Sequence, residues 1–242
     1  MEIFLGFVIA VAIGLTGVGA GSLTTPLLIL LIGLSADQSV GTALIFGAVV
    51  KLITAPVYMA RGQVNGRALA FLLAGGLPGV LIGSLLLHGL RTSVVLAVIG
   101  FIIMTVAGFN LFRPAAPTSG NRVKWLAAVA LPIGAETGFS SAGAGALGAL
   151  ALLSLAPLSA AAVVGTDLSF GLVLSLVAGG IHAAMGSLNT PVLIKLLIGG
   201  VPGAITGAML TSRLPSQKLR LGLSVAMVVL GASICWKGIS TW

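Results

Sequence analysis

Charge is the scarcest property of this sequence. Only 7% of its 242 residues are charged, with 4 Asp and Glu against 12 Lys and Arg. A soluble domain carries roughly 25% charged residues, so the wet outer face of a globule cannot be assembled from this composition. That excludes a soluble enzyme and a receptor with a folded ectodomain. The net charge of +8 would raise nucleic acid as a partner, yet no Lys/Arg-rich run exists and nucleic acid is excluded too. Cysteine occurs once, as Cys235, which can form no intramolecular disulfide and fits no metal spacing. There is no HExxH, no Cys/His cluster and no nucleotide loop, so neither a metal nor a cofactor is expected. The start, Met1-Glu2-Ile3, lacks the basic opening of a cleavable signal, and its first apolar segment is expected to be retained.

What is present is apolar. Hydrophobic residues make up 58% of the chain and the mean hydropathy is +1.21. Apolar segments run over 3–33, 38–60, 67–88, 92–112, 123–156, 161–184, 190–211 and 217–238. Membrane spans need about 20 residues each, so the chain is expected to be an all-α polytopic membrane protein lodged in a lipid bilayer. Trp125, Trp236 and Trp242 suit an interfacial belt. The longest polar stretch, 113–124, reads as a cytoplasmic linker between a first membrane repeat, 1–112, and a second, 125–242.

The two halves are copies. A shift of 124 residues lays Gly41-Thr42 on Gly165-Thr166, Asn65 on Asn189, and Gly75-Gly76-Leu77-Pro78-Gly79 on Gly199-Gly200-Val201-Pro202-Gly203. Between 14 and 90, 31 of 77 positions are identical without a gap, which marks an internal duplication. Duplicated halves with the site between them are the common build of secondary transporters.

Each half opens on a segment too long for one span and too short for two, broken by glycine at 17–22 and again at 138–145. Glycine costs about 1 kcal/mol per helical position relative to alanine, so such density predicts a break. Folded as re-entrant hairpins, these segments leave three full transmembrane helices per half, and the repeats are inverted. Arg61, Arg67, Arg113, Arg122, Lys124, Arg213, Lys218 and Arg220 then share the cytoplasmic side, with Arg91, Lys195 and Lys237 opposite. Reading each segment as one long span gives a poorer split, and the positive-inside rule favours inversion.

A broken helix presents unpaired N–H groups on a positive dipole end, which suits an anion. Candidate binding residues are Gly19, Ala20, Gly21, Ser22, Thr24 and Thr25 in the first half, with Ser140, Ser141, Gly143 and Gly145 in the second. Close helix packing is the competing explanation of the small residues. Thr42 and Thr166 either bind the anion or bond back to their own helices. Intramembrane charge is costly and functional by default. Glu136 and Asp167, which face Ala12 and Ala43 across the repeat, are candidates for proton coupling. Lys51 could attract the anion or neutralise Asp167. Tyr58 and His182, equivalent across the repeat, are either interfacial anchors or a gate, and His88 reads as solvated beside a loop.

The stretch Gly17-Val18-Gly19-Ala20-Gly21-Ser22-Leu23-Thr24-Thr25-Pro26 resembles the GxGGGxxxxP segment of the sulfite exporter TauE/SafE permeases. Its degenerate second copy at 138–148, the two Gly-Thr pairs and the Gly-Gly-x-Pro-Gly-x-x-x-Gly segments at 75–83 and 199–207 extend the resemblance over nearly the whole chain. Ala20 stands in place of one glycine, and Leu150 where the repeat would have proline. The resemblance implies secondary transport of a small sulfur-containing anion, sulfite or an organosulfonate, across a bacterial plasma membrane. The expectation is therefore a permease and not an enzyme, proton-linked or facilitative, with the anion at the glycine-rich breaks. An anion-selective channel and an intramembrane serine protease using Ser140 and His182 are the competing classes.

Overall fold

The computed structural model describes residues 1–16, 20–111, 122–210 and 216–240. Among the described residues there are ten α-helices: α1 (Glu2–Thr16), α2 (Ala20–Leu27), α3 (Ala36–Ala60), α4 (Gly66–Gly89), α5 (Thr92–Leu111), α6 (Trp125–Ser140), α7 (Gly143–Leu155), α8 (Ala160–Ala184), α9 (Thr190–Leu210) and α10 (Ser216–Ser240). A π-helical turn, Leu28–Ile32, extends α2. Among the described residues no strand occurs, and four helices (α3, α4, α8 and the 190–209 part of α9) are long and apolar enough to cross a membrane.

Helix bounds follow the 124-residue spacing: Ala36–Ala60 returns as Ala160–Ala184, and the starts at Gly66 and Thr92 return at Thr190 and Ser216. Shared capping explains the agreement. Asn65 and Asn189 each accept a bond from the amide three residues on, Ala68 N–H at 2.9 Å and Val192 N–H at 3.2 Å. Such an N-cap satisfies a donor that lipid cannot. The chain reaches each cap through a tight turn with Gly62 (φ 67°) or Gly186 (φ 75°) in the left-handed region. The two long apolar segments expected at 3–33 and 123–156 are each divided into short helices. Much of the 113–124 linker lies outside the described residues.

The halves interlock instead of sitting side by side. α1 packs along α9 and α6 along α4, each pair parallel, while α3 packs against α8 and α5 against α10 antiparallel. Glycine sets the parallel contacts. A Cβ at Gly75 would lie 1.8 Å from the Ala127 carbonyl oxygen, and one at Gly199 1.8 Å from that of Ile3. Backbone-on-backbone approach is how small residues bind membrane helices together without a hydrophobic drive. In the same places the rings of Phe170 and Phe46 lie on Gly76 and Gly200.

Polarity is distributed inside out. Leu81, Ile82, Leu85 and Leu86 on α4, and Ile194, Ile198, Val201 and Ile205 on α9, are exposed apolar rows at helical spacing. In water such rows would be a liability; in a bilayer they face lipid. The interior instead holds Thr25, Thr42, Lys51, Thr137, Ser140, Ser141, Thr166, Asp167, Ser175 and His182, all buried. Intramembrane polar groups placed this way mark a pathway or a site.

Candidate functional site

The site is built around the end of α6. Helix α6 stops at Ser140, Ser141 adopts φ 68°, and α7 leaves from Gly143, with Ala144 and Gly145 non-helical (Gly145 φ 129°, ψ −67°). A serine in the left-handed region is strained, and the strain is held by local bonds. Ser141 N–H donates to Thr137 O (2.9 Å), Ala144 N–H to Thr137 Oγ1 (3.0 Å) and Ala142 N–H to Ser140 Oγ (3.3 Å). Three amides of the tip are thus already engaged. At the far end Arg122 N–H donates to Leu155 O (2.9 Å), so α6 and α7 form a hairpin with its two ends tied together.

The first half reaches this tip from α2. Thr25 Oγ1 lies 2.6 Å from Ser141 Oγ, and a Cβ at Gly21 would collide with the Ser141 carbonyl and hydroxyl. Beside them Ser140 Oγ donates to Glu136 Oε1, while Glu136 Oε2 is buried with no hydrogen-bond partner and abuts Gly143. Two glycine-flanked elements, three hydroxyls and a carboxyl therefore meet in one place. Ser22 and Thr24 are buried on α2. Gly19 lies outside the described residues and the Ala20 side chain is not described.

Lys51 and Asp167 are held one layer away, between α3 and α8. Lys51 Nζ donates to Ser175 Oγ (2.9 Å) and to Gly171 O (3.2 Å) and is electrostatically coupled to Asp167. Ser175 is the residue that occupies the Lys51 position in the second half, so the two equivalent positions touch. Asp167 lies against Gly148 of α7.

Thr42 and Thr166 are engaged in a matched clasp. Thr42 Oγ1 accepts Asn189 N–H (3.1 Å) and Thr166 Oγ1 accepts Asn65 N–H (2.9 Å), so each ties the start of its helix to the opposite half. Gly41 and Gly165 let the turns in, since a Cβ there would meet Ser187 O or Gln63 O. Tyr58 is half-buried beside Gly165. His182 is fully buried, donates through Nε2 to Gly138 O (2.9 Å) and stacks on His88 with centroids 5.3 Å apart. Ser140 bonds to Glu136 and His182 to Gly138, so the serine–histidine pair a protease would use is not assembled.

Asp37, Ser187 and His88 make a further polar cluster, which their distant places in the sequence do not announce. His88 is exposed, yet its Nδ1 donates to Ser84 O (3.0 Å) and its Nε2 meets Ser187 Oγ (2.9 Å). The available signal was that the two histidines both stand at helix ends bordering short polar turns.

A lipid-faced helical bundle with polar groups gathered where broken helices meet is the build of a membrane transporter. The chain belongs to the family described as Sulfite exporter TauE/SafE, whose profile matches residues 2–234. It is 28% identical over 249 residues to the probable membrane transporter protein YjnA of Bacillus subtilis, covering 96% of this chain and 98% of that one. It is also 28% identical over 245 residues to a probable membrane transporter protein of Xylella fastidiosa strain Temecula1, covering 95% and 91%. A second Xylella fastidiosa protein of the same description, from strain 9a5c, is 26% identical over the same length. No solved structure matches the chain.

Proposed function

We propose that this multi-pass membrane transporter moves a small sulfur-containing anion, sulfite or an organosulfonate, across the bacterial inner membrane together with a proton, using two halves of opposite orientation. The observation that carries the proposal is the meeting of Gly21 and Thr25 with Ser141, beside the Ser140–Glu136 pair. Opposite orientation of the halves is supported by the antiparallel run of α3 against α8, since each is a full-length apolar span. The closed ends of the α6–α7 hairpin at Arg122 and Leu155 support a re-entrant element.

On this reading the anion cradle is made of hydroxyls more than of backbone amides. With the Ser141, Ala142 and Ala144 amides engaged internally, the hydroxyls of Thr25 and Ser141 are the donors that can turn to an anion. Glu136 supplies the coupling. Ionised, its carboxylate repels an anion at this tip; protonated, it accepts one beside it and donates the spare hydrogen. The anion therefore enters with a proton on Glu136 and both leave together. Lys51 and Asp167 carry opposite charges behind the site, and proton exchange there would change the charge that the anion meets.

The test is flux of sulfite into proteoliposomes under an imposed pH gradient. Glu136→Gln keeps downhill flux and loses its response to the gradient, and an unchanged response overturns the coupling role. Thr25→Ala and Ser141→Ala each weaken sulfite binding by roughly tenfold, the worth of a hydrogen bond to an anion. Wild-type affinity in both variants removes the anion from this tip.

A further inference from the structure

At the end of the bundle opposite the Arg61–Arg67 turn, three elements distant in sequence converge: the start of α3, the end of α4 and the α8–α9 turn. Ser187 Oγ stands between His88 Nε2 at 2.9 Å and Asp37 Oδ2 at 3.4 Å. His88 Nδ1 is committed to a carbonyl, Ser84 O, and must carry a hydrogen to bond it. In the neutral ring Nε2 is then a lone pair, and Ser187 spends its single hydrogen on it. A proton from water placed on Nε2 reverses that bond. Nε2–H now donates to Ser187 Oγ, which frees the Ser187 hydrogen for the Asp37 carboxylate. No other covalent bond changes, and an imidazolium–hydroxyl–carboxylate chain replaces two half-used contacts.

The neighbours decide which ring takes the proton. His182 on α8 stacks on His88 and is fully buried, with Nε2 on Gly138 O and Nδ1 without a hydrogen-bond partner. Two imidazolium rings at 5.3 Å repel, so the pair holds one charge. His88 is the exposed ring and the one joined to a carboxylate, so it receives it. From α6 the nearest titratable group is Glu136, bonded to Ser140, and Arg91 beyond the end of α4 is exposed. From α3 only Asp37 enters the chain of bonds.

The geometry points to a second proton-binding site formed by His88, Ser187 and Asp37, separate from the anion tip, whose occupancy pins α3, α4 and the α8–α9 turn together and shuts this end of the pathway. It rests on the transporter reading above for its meaning, but not for its test. His182 forms the wall between this site and the α6 break, through its bond to Gly138.

The experiment is a distance measurement without substrate. Spin labels at Leu90→Cys and Met185→Cys, both exposed, report the α4 end against the α8–α9 turn in full-length Cys235→Ser protein in nanodiscs. Between about pH 8 and about pH 5 the ratio of short to long separations rises roughly tenfold, the response of a histidine switch of modest coupling. His88→Gln, Asp37→Asn and Ser187→Ala abolish the rise, and Ser187→Thr, which keeps the hydroxyl, restores it. A wild type that ignores pH, or a His88→Gln variant that still responds, overturns the site. Should sulfite flux fail while this pH response stands, the anion assignment falls and the proton site remains.

Discussion

Gly75→Ala and Gly180→Ala are the same chemical change with opposite expected signs. A Cβ at Gly75 falls 1.8 Å from Ala127 O, whereas ordinary contact begins near 3.4 Å. Helix α6 must therefore retreat by about 1.5 Å, because backbone cannot rotate away as a side chain can. The same retreat opens the neighbouring contacts of Gly79 with Leu131 O, Gly83 with Ala135 O and Gly134 with Gly76 O. Overpacking of this kind costs about 1–3 kcal/mol, and the spread along one helix pair places Gly75→Ala at the upper end. Gly180 lies within α8, exposed, with nothing within 4 Å of an added Cβ. There alanine gains about 0.5–1 kcal/mol of helix propensity and loses nothing. Unfolding in mixed micelles of increasing SDS fraction, followed by circular dichroism, reads both. The two variants should differ by about 3–4 kcal/mol, with wild type between them. A Gly75→Ala protein within about 0.5 kcal/mol of wild type would refute the backbone-contact account of the parallel pairs.

The remaining expectations concern the buried polar groups. Thr166→Val and Thr42→Val each strand an asparagine amide and should cost about 1–3 kcal/mol in the same unfolding assay. Because they sit in separate clasps, the double variant should show the sum to within about 0.5 kcal/mol, and strong non-additivity would mean the clasps are not independent. Lys51→Met leaves Asp167 without its nearby cation and should destabilise by about 3 kcal/mol or more. Adding Asp167→Asn should recover at least half of that loss; a double variant as unstable as the two singles combined would show that the pair is not coupled.

The 124-residue spacing of the helix bounds is legible in the sequence because the residues that mark it have steric or capping duties that few alternatives meet. Gly75 and Gly199 admit a carbonyl, Asn65 and Asn189 cap a helix, and the helix bounds follow the same spacing. The break at 138–145 was legible from glycine density. Partnership was not. Nothing in an apolar helix says that α1 pairs with α9 and α6 with α4, because a lipid-facing row and a core-facing row are written in the same residues. In sequence Thr42 and Thr166 suit an anion donor or a self-bonded hydroxyl equally, and their clasp to the opposite half depends on turns more than 100 residues away. His88 beside a loop suggests a solvated ring, and it is exposed, but its partner Ser187 lies 99 residues along the chain.

Lys51 against Ser175 is a position meeting its own counterpart. In an assembly of two identical subunits that point would face itself, and a lysine there would bring two ammonium groups to contact distance. Such a charge is tolerable once the two copies are free to differ, as they are here within one polypeptide. Joining the halves thus opens a choice closed to a dimer of equals: a single cation on the line where they meet.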